Sequence, residues 1–363
     1  MKKHLLSLIT ALLFSIASTF AQDCDHSGTA GNLEWCLKDS TLTICGEEVI
    51  PDFMTVTPWN KYKESIHTVI IKTGITTIFD IDNMFTQYKN LTSINVDNGN
   101  KTYASEDGVL FNKDKTRLIC FPRGKTADTY VVPNGVTTIG VYAFCDCNSL
   151  ASINIPNSVT TIEHGAFRDC RSLTSINLPS SITTIGSDVF YNCKSLPSIT
   201  IPEGITKIRE GTFWNCFGLT SITIPNGVTT IGNDAFRQCY GLISVIIPSS
   251  VTTIGESAFH WCGITSITIP NGVTTIGKSA FANCRTLTSI TIPNSVTTIE
   301  NYAFFDCSNL TSITNLNPVP VEITPNVFKY VNRECTLKVP KSAVSAYQNA
   351  KVWKKFTIVG IEN

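Results

Sequence analysis

Charge is scarce in this chain: Lys, Arg, Asp and Glu make up 15% of its 363 residues, where an average soluble domain has roughly 25%, and 28 basic residues balance 28 acidic ones. No basic face is available, so a nucleic-acid partner is not expected. Histidine is sparse too, with His26, His67, His164 and His260 scattered along the chain beyond the first 21 residues. Asp25-His26-Ser27 are neighbours in sequence, but a catalytic triad needs side chains that converge in space, and this segment reads as a flexible terminus. The G-x-S-x-G, G-x-G-x-x-G, P-loop and H-E-x-x-H patterns are absent. Asp80, Asp82, Asp97, Glu106 and Asp107 miss the EF-hand spacing. Cysteine, at 14 residues or about 4%, is too thin for a small disulfide scaffold. Catalytic residues, metals and cofactors are therefore expected to be none.

Beyond the N-terminus no apolar run approaches the ~20 residues that span a bilayer, so membrane insertion is not expected. Residues 1–21 read as a secretory leader: Lys2 and Lys3 precede the apolar stretch Leu5 to Ile16, and Thr19-Phe20-Ala21 offers a small-x-small cleavage site before Gln22. The expectation is an exported protein, whether secreted, periplasmic or associated with the cell surface.

What the chain has in abundance is repetition. Phe144, Phe167, Phe190, Phe213, Phe236, Phe259, Phe281 and Phe304 follow one another at steps of 23 residues, with a single step of 22 before Phe281. A cysteine stands three residues after each, from Cys147 to Cys307. In the copy Leu219 to Cys239, Leu219, Ile222 and Ile224 form an L-x-x-L-x-L segment, the strand of a leucine-rich repeat with its large residues turned inward. Pro225 ends that strand. Val228 and Ile231 read as a second short extended segment, and Gly232 to Cys239 as one helical or 3₁₀ turn. One such coil cannot bury its apolar face alone, so stability must come from stacking.

The pattern predicts a strand-rich α/β leucine-rich-repeat solenoid of about eleven coils of ~23 residues, with parallel strands on one side, short helical or 3₁₀ turns on the other, and capped ends. Its expected divisions are a leader (1–21), an N-terminal cap (22–65), irregular repeats (66–133), regular repeats (134–317) and a C-terminal cap (318–363). Ile66, Val69, Ile71, Ile75, Ile78, Phe85 and Tyr88 fit the template, with Tyr88 in the cysteine position. A hairpin insertion is expected at 97–126, around Asn112 to Lys115. Charge concentrates there: 21 charged residues fall in 45–128 and 18 in the much longer stretch 134–317. In the N-terminal cap, Leu33, Trp35 and Leu37 alternate with polar residues ahead of Thr41 to Ile44. The C-terminal cap reads as a strand at Thr336 to Val339, a helix at Ser342 to Ala350, and an apolar seal of Trp353, Phe356 and Ile358.

The segment S-I-T-I-P-N-G-V-T-T-I-G-x-x-A-F-x-x-C, repeated eight times, resembles the BspA-type leucine-rich repeat family of bacterial and protozoal surface proteins. Asn32 to Trp35, the Pro51-Asp52-Phe53 and Pro58-Trp59 turns, and Val339 to Lys354 are similar to its flanking pieces. The resemblance implies an adhesin-like role with a host extracellular-matrix or cell-surface protein or glycan as partner. Many surface members also carry a C-terminal sorting domain, which is not read before Asn363.

Three features are candidate sites. The repeat cysteines are expected as a ladder of buried thiols; Cys36 could pair with Cys45 or with Cys24. The outward strand positions form an uncharged Ser/Thr lattice that includes Thr200, Thr223, Thr268 and Thr291. It has neither the paired carboxylates of a glycosidase nor a general base; it could hydrogen-bond a partner, or simply keep a repetitive strand surface soluble. On the turn side Tyr191, Trp214, Phe217, Tyr240 and Trp261 fall on four consecutive coils, with Arg168, Arg171 and Arg285 flanking them. Aromatic and Arg residues dominate binding hot spots, although the rings could instead pack along the groove between coils. The function expected is non-enzymatic recognition or adhesion through an extended repeat surface. Alternatives are a glycan-active or glycan-binding periplasmic protein and, less favoured, ice binding by the Thr/Ser lattice.

Overall fold

The computed structural model describes residues 23–30, 32–46, 48–50, 57–78 and 84–362. The leader, the Pro51-Asp52-Phe53 turn, Asp80 and Asp82 lie outside the described residues. The chain divides into two compact units, one of residues 1–126 with 140–149 and one of residues 127–139 with 150–363. Both are built of parallel β-solenoid turns, about 13 in all, close to the eleven that the repeat length suggested.

In the first unit, His26–Ala30, Leu33–Lys38 and Thr41–Gly46 form an antiparallel meander whose last strand continues in parallel to Thr68–Ile71 and Ser93–Val96. The meander caps the ladder. Its second turn uses Asp39 and Ser40 alone, at φ 45° and 66°, the left-handed pair that a two-residue hairpin requires. That register sets Cys36 opposite Thr43 and Glu34 opposite Cys45. Cys36 is therefore joined to Cys24 in a disulfide, which decides between the two partners that the sequence left open. The same arrangement corrects the reading of Asp25 to Ser27 as a flexible end. His26 begins a paired strand and stacks its ring on Tyr62 at 4.2 Å.

The insertion folds as three antiparallel strands, Tyr103–Glu106, Val109–Asn112 and Arg117–Cys120. Buried Asn100 fixes its start. Its amide donates to the Lys72 and Ile75 carbonyls at 3.0 and 2.8 Å, while its oxygen accepts from the Thr102 and Tyr103 amides at 2.9 Å. A buried amide with its partners satisfied is a specific clamp on the chain. Of the carboxylates that miss the EF-hand spacing, Asp97 pairs with Lys72 at 3.4 Å and Glu106 with Lys115 at 2.6 Å.

The second unit stacks its coils in strict register: Ile199 lies beside Ile222, Ile267 beside Ile290, and Thr230 beside Thr253. All eight inward positions of the copy 219–239 are buried. The turn side differs from the expected helical turn. Bonds of the 3₁₀ type do form, as from the Cys239 amide to the Phe236 carbonyl at 3.2 Å, but Asp234 and Gln238 adopt φ of 52° and 61° and interrupt any helix. These breaks free backbone groups for the next coil, and the Phe236 amide donates to the Ala258 carbonyl at 2.8 Å. The rings of Phe167, Phe190, Phe213, Phe236, Phe259, Phe281, Phe304 and Phe328 stack at 5.2–5.6 Å and within 10° of parallel.

At the C-terminal end Thr336–Pro340 and Thr357–Ile361 extend the ladder in parallel. The expected helix is a 3₁₀ turn at Lys341–Ala343 followed by an α-helix at Val344–Asn349. Trp353 is buried and donates its indole N–H to the Val321 carbonyl at 2.8 Å, while Phe356 and Ile358 are only partly covered.

Candidate functional site: an aromatic ledge and a strand face

In the second unit the positions one, two and four residues after the buried Phe of a coil carry side chains that reach the surface in several coils. The sequence chose five aromatic residues at such positions, and the structure brings them into two ring chains. Tyr191 meets Trp214 edge-on at 5.2 Å. Phe217 meets Tyr240 at 5.2 Å, and Tyr240 meets Trp261 edge-on at 6.1 Å. Cations lie over four of the rings: Arg168 is 4.0 Å from the Tyr191 ring centre, Arg237 4.9 Å from Trp214, Lys194 5.1 Å from Phe217, and Arg285 5.1 Å from Trp261. Such contacts are worth ~0.5–1 kcal/mol at exposed sites. Arg171 instead bridges Asp169 at 3.1 Å and meets no ring of the ledge through that contact.

The rings are therefore packed along the grooves between coils, and most are half-buried; Tyr240, at 46% exposure, is the open one. Each arginine over a ring also has a carboxylate: Arg168 holds Asp188 at 3.2 Å, Arg237 holds Asp234 at 2.9 Å, and Arg285 holds Asp306 at 2.7 Å. These pairs neutralise the three arginines and leave Lys194 as a further cation, and the ledge orders its own side chains before any partner arrives. Trp214 adds an indole hydrogen bond to Gln238 at 3.2 Å.

Among the regular repeats Trp261 is the outlier. It stands two residues after Phe259, where other coils carry Asp169, Asn192, Asn215, Gln238, Asn283 and Asp306, and all of these have φ near 60°. Asn and Asp tolerate that left-handed backbone, while a bulky ring is strained there. Strain of this kind gathers at functional positions. Beside it His260 has its imidazole pushed down to about 4, first by burial and then by the charge of Arg237, and accepts or shares a hydrogen bond with Asn283 at 3.0 Å.

Sequence reasoning missed Arg237, Lys194 and His260. Their signal was the same columns that yielded the rings, read for cations as well as aromatics.

On the strand face, Thr200 pairs in register with Thr223 and Thr268 with Thr291; the first three are exposed and Thr291 is half-buried. Between the two pairs the lattice gives way to Ile243 and Ile246, which are 56% and 84% exposed. The regular ladder breaks at the same place, leaving the single bridge of Thr223 to Ile246. Among the described residues no group of three or more His, Cys, Asp or Glu could hold a metal, and no helix is long and apolar enough to cross a membrane.

Residues 118–243 and 229–350 match the family model described as a BspA type leucine rich repeat region, with 6 copies. The chain belongs to the BspA-type leucine-rich repeat family. Among solved structures it is similar to a leucine-rich repeat protein from Eubacterium ventriosum, with 23% identity over 77% of this chain and 94% of that one at a TM-score of 0.49. It is similar also to a leucine-rich cell surface protein from Faecalibacterium prausnitzii, with 26% identity over 81% and 96% at 0.47. A leucine-rich repeat protein from Bacteroides ovatus shows 23% identity over 72% and 79% at 0.48. No curated protein matches the chain. The BspA-type repeats thus include both the coils of the ledge and those of the strand lattice.

Proposed function

We propose that this BspA-type protein is exported and acts without catalysis, as a recognition or adhesion module for host-matrix or cell-surface proteins or glycans. The observation that carries this reading is the ledge itself: rings and cations alternate over four coils, and Trp261 holds a backbone conformation suited to Asn. A preordered row of rings loses little side-chain freedom when a partner docks. Stacked coils supply rigidity, and several weak contacts spread along them add up. The uncharged strand face, with Ile243 and Ile246 exposed among Thr and Ser, offers a second strip of complementarity.

The test is binding of the purified chain to an array of matrix proteins, mucins and glycans, with Tyr240→Ala/Trp261→Asn alongside. A saturable hit lost in the double variant supports the ledge. Binding that survives the double variant removes the ledge from the reading, and silence over the whole array removes adhesion.

A further inference from the structure

The column of buried rings does not stop with the regular repeats. Phe328 stacks on Phe304 at 5.2 Å, although it follows by 24 residues and no cysteine stands three positions on. Phe356 then meets Phe328 edge-on at 5.4 Å and closes the last coil. Between this closing segment and the turn at 325–333 lies a cavity of about 600 Å³. That is within the ~300–1,000 Å³ range of small-molecule sites.

Its lining repeats the ledge with one part missing. Phe328, Tyr330 and Phe356 supply rings, and Lys329, Arg333 and Lys355 supply cations. No carboxylate lines it. Among the described residues none of the three cations is in an ion pair, in contrast to Arg168, Arg237 and Arg285, each of which has its aspartate. Residues 325–356 carry seven Lys and Arg against the single Glu334, in a chain whose formal charge is zero. An anion from outside would supply the partner that the ledge finds in its own chain.

Tyr330 defines the rest of the ligand. It takes the same turn position as Trp261, with φ 66°, and the residue is 61% exposed. Phe305 touches that ring edge-on at 5.2 Å, and Lys329 lies 5.1 Å from its centre. An electron-rich ring of this exposure, beyond the part that Lys329 and Phe305 cover, suits the C–H face of a pyranose. Asn332 also lines the cavity; its oxygen holds the Glu334 N–H at 2.9 Å, which leaves its NH₂ as a donor for hydroxyl groups.

We propose that this terminal cavity binds an acidic saccharide, with its carboxylate or sulfate held among Lys329, Arg333 and Lys355 and its sugar ring against Tyr330. The site shares no residue with the ledge, so its variants test it separately from Tyr240→Ala/Trp261→Asn. Arg333 provides the forked donor that matches either anion.

The test is titration calorimetry of the purified chain at low salt with four probes: an oligogalacturonate for the carboxylate source, a chondroitin sulfate oligosaccharide for the sulfate source, neutral cellohexaose, and oligoglutamate. Either or both acidic saccharides should bind, cellohexaose should not, and oligoglutamate should bind at least about tenfold more weakly. Tyr330→Asn, which suits the left-handed backbone, and Arg333→Gln/Lys355→Gln should each lower saccharide affinity by about tenfold or more. Equal affinity for oligoglutamate with no effect of Tyr330→Asn would reduce the site to unspecific charge attraction and overturn the proposal. So would absence of binding by both acidic saccharides.

Discussion

The Cys239 thiol donates to the Phe213 carbonyl one coil earlier, at 3.1 Å. The relation recurs from Cys193 to Phe167, Cys216 to Phe190, Cys262 to Phe236, Cys284 to Phe259 and Cys307 to Phe281, at 3.0–3.2 Å. Each of these cysteines therefore points its S–H at a backbone oxygen of the preceding coil, and Cys239 and Cys262 also share a side-chain hydrogen bond. Burial raises these thiols above their ordinary 9.0. Because the folded chain holds these protons more tightly than the unfolded chain, their stabilisation is complete below pH 9. It is lost as pH rises beyond 9 toward the raised folded values. Denaturant midpoints measured from pH 7 to 11 should fall steeply above 9, and less steeply in Cys216→Ala/Cys239→Ala. A flat profile would show that the thiols ionise freely in the folded protein.

The buried Phe beside this bond carries more of the packing than the outward residues of its coil. Phe213→Ala leaves a cavity in the ring column and should cost about 3–5 kcal/mol. Thr223→Val, on the exposed strand face, should stay within about 0.5 kcal/mol of wild type. Chemical denaturation of the two variants checks the inward and outward assignment; comparable losses would mean that the register is wrong.

His260 gives an acid-side prediction. Burial and the Arg237 charge lower its imidazole to about 4 from an ordinary 6.5. A depressed base adds stability that is present above pH 6.5 and disappears as pH falls through 4. Its ring signals in NMR should stay those of neutral imidazole until near pH 4, and His260→Gln should flatten stability between pH 6.5 and 4. A midpoint near 6.5 would place the ring in solvent.

Much of this was legible in the sequence because the repeat restates each inward position: Leu219, Ile222, Ile224, Val228, Ile231, Phe236 and Cys239 recur in step, and all are buried. The parts that were not legible have local causes. The Cys24–Cys36 disulfide depends on Asp39 and Ser40 making the turn alone, which shifts Cys45 out of line with Cys36. The left-handed residues Asp234 and Gln238 are invisible in a pattern of apolar spacing that suits a helical turn equally well. At the terminal cavity Lys329 and Lys355 come from segments far apart in sequence, and the changed spacing around Phe328 removes the periodic signal that would have joined them.

Trp261→Asn separates a ring kept for binding from a ring kept for packing. Against the ring stands a left-handed backbone, unfavourable for a bulky residue by roughly 1–2 kcal/mol and relieved by Asn. In its favour stand the edge contact with Tyr240, about 0.5–1.5 kcal/mol, and the Arg285 contact, about 0.5–1 kcal/mol. The two sides nearly cancel, so the melting temperature should shift little. Affinity for the partner found on the array should fall by at least about tenfold, as for a hot-spot ring. A variant that loses more than about 2 kcal/mol of stability while keeping its affinity would make Trp261 a spacer between coils. The anchor would then have to be sought at Tyr240 or along the strand face around Ile246.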